Sequence, residues 1–595
     1  MPLRIEDYAL IGDCETASLV GRDGSIDWLC WPRFDSGACF AALLGGPEHG
    51  HWVIAPAGEV KRNKRRYQKH TLILETDFET AEGAVTIIDF MPIRERHRDL
   101  IRIVCGRRGQ VPMKMELTLR FDYGRSVPWV TSLDDDTLRA VAGPNMVSLR
   151  TPVPLKGEDL KTVSEFTVNE GQRIPFALSY RASHKKLPEP LDIESALQKT
   201  EKFWQDWISR CTYNGPWKES VERSLITLKA LTYHPTGGII AAPTTSLPEQ
   251  LGGKRNWDYR YCWLRDATLT LLMLMDCGYY DEAADWQNWL VRAVAGSPDQ
   301  VQIIYGLAGE RQLTEWEVDW LPGYEGAKPV RVGNAAADQF QLDIYGEVAS
   351  ALHHAREGKL PRNEPGIELE KTLLDHLEKI CQKPDKGIWE VRGPEQQFTH
   401  SKVMAWLAFD RAVKSCERFG VRGPVERWRK MRETIHEDVC RKGYDPELGS
   451  FVQAYGSKCL DANLLMIGTS GFLPPSDSRF QGTVRAIETR LKRNGFVMRY
   501  DTEEVNDGLP VGEGVFLVCS FRLAESYALL GRREDACKLM EELLAVRNDV
   551  GLLAEEYDIN EKRLVGNFPQ AFSHIGLVNA ALRISDGARA ERRGR

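Results

Sequence analysis

The chain has 595 residues, and its 78 Lys and Arg against 85 Asp and Glu give a formal net charge of −7 at pH 7. Hydrophobic residues make up 42% of the chain and charged residues 27%, which excludes a wholly disordered or fibrous protein. The chain is too long for one compact core, so at least two domains are expected. Its mildly acidic balance disfavours nucleic acid as a partner.

The first 190 residues have the pattern of an antiparallel β-sandwich. Runs of β-branched and aromatic residues, partly alternating with polar ones, recur at residues 71–80, 84–91, 100–105, 113–121 and 176–180. Residues that favour turns separate these runs. Short strands at this spacing predict a sandwich over residues 1–190.

Beyond residue 190 the apolar residues follow the period of helices. A helix is predicted at residues 194–209, inside a linker assigned to residues 191–215. About a dozen amphipathic stretches follow, starting at Val221 and continuing at residues 265–277, 281–294, 339–354, 368–380, 402–419, 425–439, 476–493, 512–530, 533–546 and 570–584, with a weaker one near 460–467. We expect an (α/α)6 barrel over residues 216–586. A helical solenoid is the alternative, but no unit of about 34 or 40 residues repeats.

Signals for metals, membranes and compartments are few. The 13 cysteines are scattered singly, without a CxxC pair or the Cys/His spacing of a zinc site, so we expect reduced thiols in a cytoplasmic protein and no cofactor or metal. The N-terminus does not have the pattern of a secretory signal, and apolar runs such as residues 269–275 are too short to span a membrane. The basic end, residues 587–595, predicts a flexible tail. A homo-oligomer is left open.

Tryptophan is concentrated in the predicted barrel, where eight of the 16 Trp fall between Trp257 and Trp406. The richest stretch is WDYRYCWLRD, residues 257–266. Aromatic faces stack on the C–H faces of sugar rings, and Arg and Asp beside them exchange hydrogen bonds with hydroxyls. Each aromatic residue taken alone is better explained as core, but the whole cluster predicts a polyol-binding site. Trp316 and Trp320, on a long loop, are expected near the same site.

Two further segments carry carboxylates beside aromatic or apolar residues. In KGIWEVRG, residues 386–393, Glu390 follows Trp389. Desolvation beside an indole raises the pKa of a carboxyl group, as a general acid at neutral pH requires. In LAEEYD, residues 553–558, Glu555 and Glu556 are adjacent, and only one of two successive side chains in an extended loop can face a given cleft. Solvated surface carboxylates are the competing explanation for both segments.

WDYRYCWLRD, GIWEVRG and LAEEYD, in this order behind a β domain, resemble glycoside hydrolase family 15, which contains glucoamylases, glucodextranases and bacterial and archaeal trehalases. Residues 5–46 and 322–348 resemble the bacterial trehalase-type branch, and the resemblance extends over residues 5–582. It implies a β-sandwich, a linker helix and a catalytic (α/α)6 barrel that hydrolyses α-glucosidic bonds with inversion. In that mechanism one carboxylic acid protonates the leaving oxygen and an opposing carboxylate activates water.

Carried over residue by residue, the resemblance implies that Glu390 is the general acid and Glu555 the general base. Substrate-binding roles fall on Tyr259, Trp263, Arg265, Asp266, Trp389, Arg499, Glu556 and Tyr557. Glu347, in LDIYGEV, resembles the acid's local pattern and is a rival for that role.

One departure from the family pattern concerns the substrate. In starch-cleaving relatives a second Glu follows the acid and helps to hold the leaving sugar, whereas this chain has Val391 and then Arg392. Starch is therefore disfavoured, and we favour an exo-acting α,α-trehalase that converts trehalose to two glucose molecules. The alternatives are a glucoamylase- or glucodextranase-type hydrolase of malto- or isomalto-oligosaccharides, a phosphorylase, and a non-catalytic sugar-binding protein.

Overall fold

The computed structural model describes residues 2–93, 98–358, 360 and 364–585. Its N-terminal part is built from antiparallel strands. They are β1 Tyr8–Gly12, β2 Ala17–Gly21, β3 Ser25–Cys30, β4 Ala38–Phe40, β5 His51–Pro56, β6 Arg62–Tyr67, β7 Leu74–Glu79, β8 Gly83–Phe90, β9 Arg98–Thr118, β10 Trp129–Asp134, β11 Thr137–Ala142, β12 Asn145–Arg150, β13 Lys156–Glu158, β14 Lys161–Asn169 and β15 Arg173–Ala182.

The long strand β9 joins two layers of this β domain. Its first half pairs with β8 and β15, and its second half pairs with β5 and β14. One layer therefore runs β6-β7-β8-β9-β15-β12-β11-β10, and the other runs β1-β2-β3-β5-β9-β14-β13 with β4 beside β3. Between the layers, Trp52 on β5 meets Phe176 on β15 edge to face, with ring centroids 6.5 Å apart. The predicted antiparallel sandwich is confirmed.

The prediction of two separate strands at residues 100–105 and 113–121 is wrong, because β9 is continuous. The exposed, charged residues around Arg107 and Gly109 look like a turn in the sequence. In the structure they continue the ladder with β8, where the register shifts at a bulge between Ala84 and Val85. A strand that passes from one layer to the other needs such an irregularity to bend.

The second part of the chain is helical. The helices are α1 Ile193–Ile208, α2 Lys218–Ala230, α3 Leu264–Asp276, α4 Tyr280–Ala293, α5 Asp343–Glu357, α6 Glu364–Ile380, α7 Thr399–Phe419, α8 Val425–Lys442, α9 Ser478–Arg490, α10 Leu517–Leu529, α11 Arg533–Ala545 and α12 Ala571–Ser585. A 3-10 turn, Ala462–Leu465, continues into the short helix Met466–Thr469, and we call the two together the 462–469 segment.

Six of these elements form a closed inner ring. In order they are α3, α5, α7, the 462–469 segment, α10 and α12, and α12 contacts α3 again. The outer helices α2, α4, α6, α8, α9 and α11 each pack against the ring, and α6 and α11 each contact two of its members. Nearly every side chain of α12 is buried, whereas the buried residues of α8 are Trp428, Ile435 and Val439. This contrast is expected for inner and outer helices, and the (α/α)6 barrel is confirmed.

Helix α1 contacts both parts of the chain. Its first residues pack on the β domain in a small apolar cluster with Ala196. Near its end, Trp207 stacks on Tyr279, with ring centroids 4.2 Å apart, and donates to the Glu282 carboxylate at 2.5 Å. The domain boundaries given above stay predictions, and the basic tail lies outside the described residues. Across those residues, each helix is too short or too polar to cross a membrane.

Candidate active site

A cavity lies at the N-terminal ends of the inner helices α3, α10 and α12, where the long loops meet. Three segments that are far apart in the sequence contribute to its wall, which brings the aromatic cluster and both candidate carboxylates together. The lining residues are Ala241, Glu249, Trp257, Tyr259, Trp263, Arg265, Asp266, Ile388, Trp389, Glu390, Arg392, Arg499, Leu509, Phe516, Glu555, Gln570 and Phe572.

The segment before α3 is extended, so some of its side chains line the cavity and others are buried on the opposite side. They run antiparallel to residues 241–246, with the Ser246 N–H donating to the Trp257 carbonyl at 2.8 Å. Successive side chains of an extended chain point to opposite sides. Trp257 and Tyr259 therefore line the cavity, whereas Arg260 is fully buried on the other side. Tyr261 breaks the alternation, and Trp263 lines the cavity directly before α3.

Arg260 connects this motif to the β domain. Its guanidinium forms an ion pair with Asp258 at 2.6 Å, and neither side chain has measurable exposure. It also donates to the Ser36 carbonyl at 2.9 Å and to the Tyr123 hydroxyl at 2.8 Å. The β domain therefore holds the back of the segment whose front forms the cavity wall.

Glu390 ends a tight turn after Trp389, and its backbone is in the left-handed region with φ of 58°. Such a conformation is rare for a residue with a Cβ and is found most often at functional sites. The Trp263 indole N–H donates to Glu390 Oε1 at 2.7 Å, and Arg265 Nη1 lies 3.5 Å from the same oxygen. Burial raises the pKa of Glu390, and Arg265 opposes that rise. A raised pKa suits a group that must carry a proton.

Glu555 is 1% exposed and accepts two hydrogen bonds. The Tyr259 hydroxyl donates to its Oε1 at 2.6 Å, and the Asn567 backbone N–H donates to its Oε2 at 3.3 Å. Both bonds favour the ionised form, as a base requires. Burial and the negative charge of Glu249 act the other way and raise the pKa of Glu555, which also makes its carboxylate a stronger base.

Arg265 and Asp266 begin helix α3 at the edge of the cavity. Arg265 donates to the Ile388 carbonyl at 2.6 Å and to Asp266 Oδ2 at 2.9 Å, which ties α3 to the turn that carries Glu390. Asp266 Oδ1 is buried and has no hydrogen-bond partner among the described residues. A buried carboxylate oxygen without a partner is costly, and a sugar hydroxyl would satisfy it.

Arg499 lies in an acidic cluster at one side of the cavity. It donates to Glu249 at 3.0 Å and to Glu513 at 2.5 Å. Glu249, Glu513 and Glu556 each place a carboxylate oxygen within 4.8 Å of the others, a donor set that suits a cation. Arg499 and Arg255 occupy this cluster, so the protein itself supplies its positive charge.

Eight of the ten predicted site residues line this one cavity, and Glu556 and Tyr557 do not. Glu555 directly precedes the strand Glu556–Asp558, and successive side chains of an extended chain point to opposite sides. Because Glu555 faces the cavity, Glu556 is fully buried behind it. The Tyr557 ring instead contacts Phe496, with centroids 5.8 Å apart. The structure therefore gives neither residue a position from which to touch a sugar in the cavity.

Three other expected residues also lie elsewhere. Glu347 lines a separate cavity on the barrel axis, and Phe572 contributes to the walls of both cavities. Trp320 donates its indole N–H to the Tyr123 carbonyl at 2.9 Å, and Trp316 contacts the Tyr123 ring. Neither Trp316 nor Trp320 lines the cavity, although Glu315 of the same loop contacts the cavity-lining Arg392.

Sequence reasoning missed Glu249, which contacts Arg499 and accepts a hydrogen bond from the Trp257 indole at 3.0 Å. It lies in a loop without a motif of its own. Phe572 was missed because an apolar residue at the start of a core helix carries no signal for a site.

The comparisons with known proteins agree with this architecture. The family model described as Glycosyl hydrolases family 15 matches residues 215–582, and one described as Trehalase-like, N-terminal matches residues 1–204. The chain is 37% identical to a trehalase of Mycobacterium tuberculosis over 98% of this chain and 89% of that protein. It is 32% identical to a trehalase of Thermoplasma volcanium over 98% of this chain and 94% of that one.

A solved structure has the same fold over nearly the whole chain. It is a bacterial glucoamylase in complex with acarbose, with a TM-score of 0.74 and 12% identity, covering 98% of this chain and 96% of that chain. The family model and the trehalases that match nearly the whole chain show that the protein is a glycoside hydrolase. The chain belongs to glycoside hydrolase family 15.

Proposed function

We propose that this protein is an inverting α,α-trehalase in which Glu390 is the general acid and Glu555 the general base. The observation that carries the proposal is the placement of these two carboxylates in the wall of one cavity, each hydrogen-bonded by a different residue of the segment before α3. Burial raises the pKa of both groups, which helps Glu390 to hold a proton and makes ionised Glu555 a stronger base. The Tyr259 hydroxyl and the Asn567 backbone N–H each donate a hydrogen bond that favours the ionised form of Glu555.

In the proposed reaction, Glu390 and Glu555 act from opposite sides of the glycosidic bond. One glucose unit of trehalose lies against Tyr259, Trp263 and Trp389, with Asp266 accepting a hydroxyl. Glu390 gives its proton to the glycosidic oxygen as the bond to the anomeric carbon breaks. Glu555 takes a proton from a water molecule, whose oxygen attacks that carbon from the opposite face. The products are β-glucose from the bound unit and α-glucose from the leaving unit.

The choice of trehalose rests on the relatives. Proteins named trehalase match over 98% of this chain at 32% to 37% identity. The glucoamylase likeness, at 12% identity, concerns the fold alone. A glucoamylase- or glucodextranase-type hydrolase is the second candidate. A phosphorylase would not need Glu555 as a base, and a sugar-binding protein would not need Glu390 to hold a proton.

Product release from four substrates tests the proposal. Purified protein is incubated with trehalose, maltose, isomaltose and soluble starch, and glucose is measured over time with and without inorganic phosphate. We expect glucose from trehalose at the highest rate, without glucose 1-phosphate. Glucose from maltose or isomaltose but not from trehalose would favour the second candidate, and binding without turnover would exclude an enzyme.

We also propose a cytoplasmic location. All 13 cysteines lie in the described residues as thiols, which supports a reducing compartment. Immunoblotting of fractionated cells tests the location. Homo-oligomerisation stays a prediction, which sedimentation equilibrium of the purified protein checks.

A further inference from the structure

The turn that carries Glu390 continues directly into Arg392, whose backbone is fixed on both sides. The Val391 N–H donates to the Lys386 carbonyl at 3.3 Å, and the Gly393 N–H donates to the Asp507 carbonyl at 2.7 Å. A Cβ at Gly393 would lie 2.8 Å from the Asn506 carbonyl oxygen, so this close approach requires glycine. Arg392 therefore has a defined position two residues after the acid.

Val391 and Arg392 differ in what they can contact. The Val391 side chain is 3% exposed and packs in a small apolar cluster, so the position directly after the acid cannot reach a substrate. Arg392 is the next residue, and its side chain is 26% exposed and lines the cavity. The cavity wall therefore presents a guanidinium two residues after Glu390.

The Arg392 guanidinium is held by two neighbours. Its carbon lies 4.6 Å from the centroid of the Trp257 ring, and its Nη2 donates to Glu315 Oε2 at 3.4 Å. Among the described residues, Glu315 is the one acceptor of an Arg392 hydrogen bond. Because arginine has five N–H donors in a rigid fork, donors remain for a ligand.

Glu315 is itself fixed, so it can orient Arg392. Its Oε2 accepts the Ala335 backbone N–H at 3.0 Å, and its Oε1 lies 3.6 Å from Arg331 Nε. Arg331 has the same two neighbours as Arg392, since its guanidinium carbon is 4.5 Å from the Trp257 centroid. It does not line the cavity, and it donates to the Asn256 carbonyl at 2.8 Å.

We propose that Arg392 binds the hydroxyl groups of the leaving glucose unit, with Trp257 as the surface beneath it and Glu315 as a positioning residue. The inference rests on the proposed function, in which Glu390 protonates the glycosidic oxygen. Because the glycosidic oxygen belongs to the leaving sugar, that sugar must lie next to the Glu390 carboxyl group. Arg392 is the cavity-lining cation two residues further along the same turn. The charged N–H groups of Arg392 can donate hydrogen bonds to neutral hydroxyl groups of one pyranose ring.

A comparison of two substrates distinguishes effects at the leaving-sugar subsite from effects on the rest of the site. Trehalose has a leaving glucose, whereas α-glucosyl fluoride presents the same first glucose with fluoride as the leaving group. In Arg392→Met we expect kcat/KM for trehalose to fall roughly 10- to 100-fold, from the loss of charged hydrogen bonds. Fluoride hydrolysis should stay within about twofold of wild type because no leaving sugar is present.

Arg427→Met is the control, since Arg427 forms a half-exposed surface ion pair with Asp375 and contacts neither Glu315 nor Trp257. It should leave the ratio of the two kcat/KM values unchanged. Glu315→Ala should lower that ratio in the wild-type background and lower it no further in Arg392→Met, because a positioning residue acts through its partner. Additive losses would contradict the role of Glu315.

An equal loss on both substrates in Arg392→Met, or unchanged trehalose hydrolysis, would overturn the inference. If wild-type protein hydrolyses the fluoride but not trehalose, the proposed function fails instead. The same ratio is then measured with maltose or isomaltose, whichever is cleaved, and an unchanged ratio there rejects Arg392 as a leaving-sugar ligand.

Discussion

Tyr259 and Trp263 lie edge to face with ring centroids 5.2 Å apart, and each donates a hydrogen bond to one of the two candidate catalytic carboxylates. A single extended segment therefore positions both Glu555 and Glu390. Since the β domain holds the back of this segment through Arg260, the distance between acid and base depends on both domains.

The two carboxylates should respond differently to neutralisation. Glu390→Gln removes the proton donor, so trehalose hydrolysis should fall by about 10²- to 10⁴-fold. Hydrolysis of α-glucosyl fluoride should largely survive, because fluoride leaves without a proton. Glu555→Gln should abolish both activities, since both need an activated water. Steady-state kinetics with the two substrates measure this.

Glu347→Gln is the control for these variants, because Glu347 lines the separate axial cavity. It should retain trehalose hydrolysis. Loss of activity in Glu347→Gln together with near-normal activity in Glu390→Gln would reverse the assignment of the acid.

The hydrogen bonds from Tyr259 and Trp263 should set separate limbs of the pH profile. Tyr259→Phe removes a donor that favours ionised Glu555, so the pKa of Glu555 rises. Activity requires the ionised form, and the acidic limb of kcat/KM should therefore move to higher pH. Trp263→Phe raises the pKa of Glu390 in the same way. Activity requires its protonated form, so the basic limb should move to higher pH.

These profiles are measured with trehalose at low substrate concentration, where kcat/KM reports the free enzyme. If both variants move the same limb, or if the limbs move to lower pH, the roles given to Glu390 and Glu555 are contradicted.

The motifs predicted the site well where local sequence carries the chemistry. The aromatic cluster WDYRYCWLRD contributes Trp257, Tyr259 and Trp263 to the cavity wall, and eight of the ten predicted site residues line this cavity. The expected geometry of adjacent Glu555 and Glu556 was also right in that one of them faces the cavity. Glu556 does not line the cavity, and its role as a substrate ligand stays a prediction.

Long-range contacts could not be predicted from the sequence. Glu249 is 250 residues from Arg499, and only the closed barrel brings them together at 3.0 Å. Strand β9 looked like two strands because its exposed middle has the composition of a turn. The loop with Trp316 packs on the β domain through Tyr123, a contact between domains that no local pattern encodes.

Asp266 should be essential for holding the bound glucose. Asp266→Asn replaces an acceptor with a donor at a buried oxygen that lacks a partner among the described residues. We expect kcat/KM for trehalose and for α-glucosyl fluoride to fall together, by about 10²-fold or more, because both contain this glucose.

Asp285→Asn, on the exposed face of α4, is the control for this substitution and should behave as wild type. A selective loss on trehalose alone in Asp266→Asn would place Asp266 at the leaving sugar instead.

The buried pair of Arg260 and Asp258 should stabilise the junction of the domains. Arg260→Met leaves Asp258 buried without its cation, at a cost of about 3 to 5 kcal/mol in the free energy of unfolding. The midpoint of thermal unfolding should fall, and the double variant Arg260→Met/Asp258→Asn should be more stable than Arg260→Met alone.

Arg427, whose ion pair with Asp375 is half exposed, provides the surface control. Arg427→Met should change the midpoint little, since exposed pairs contribute about 1 kcal/mol or less. If the midpoint of thermal unfolding falls by a similar amount in Arg260→Met and Arg427→Met, the buried Arg260–Asp258 pair contributes no more to stability than a surface pair.

The stereochemistry of the first products tests inverting hydrolysis of trehalose most directly. Proton NMR in the first minutes of reaction, before the anomers interconvert, distinguishes β-glucose from α-glucose. Attack by water on the face opposite the leaving oxygen predicts equal amounts of the two anomers from trehalose. Release of α-glucose alone would show retention and contradict the roles of Glu390 and Glu555.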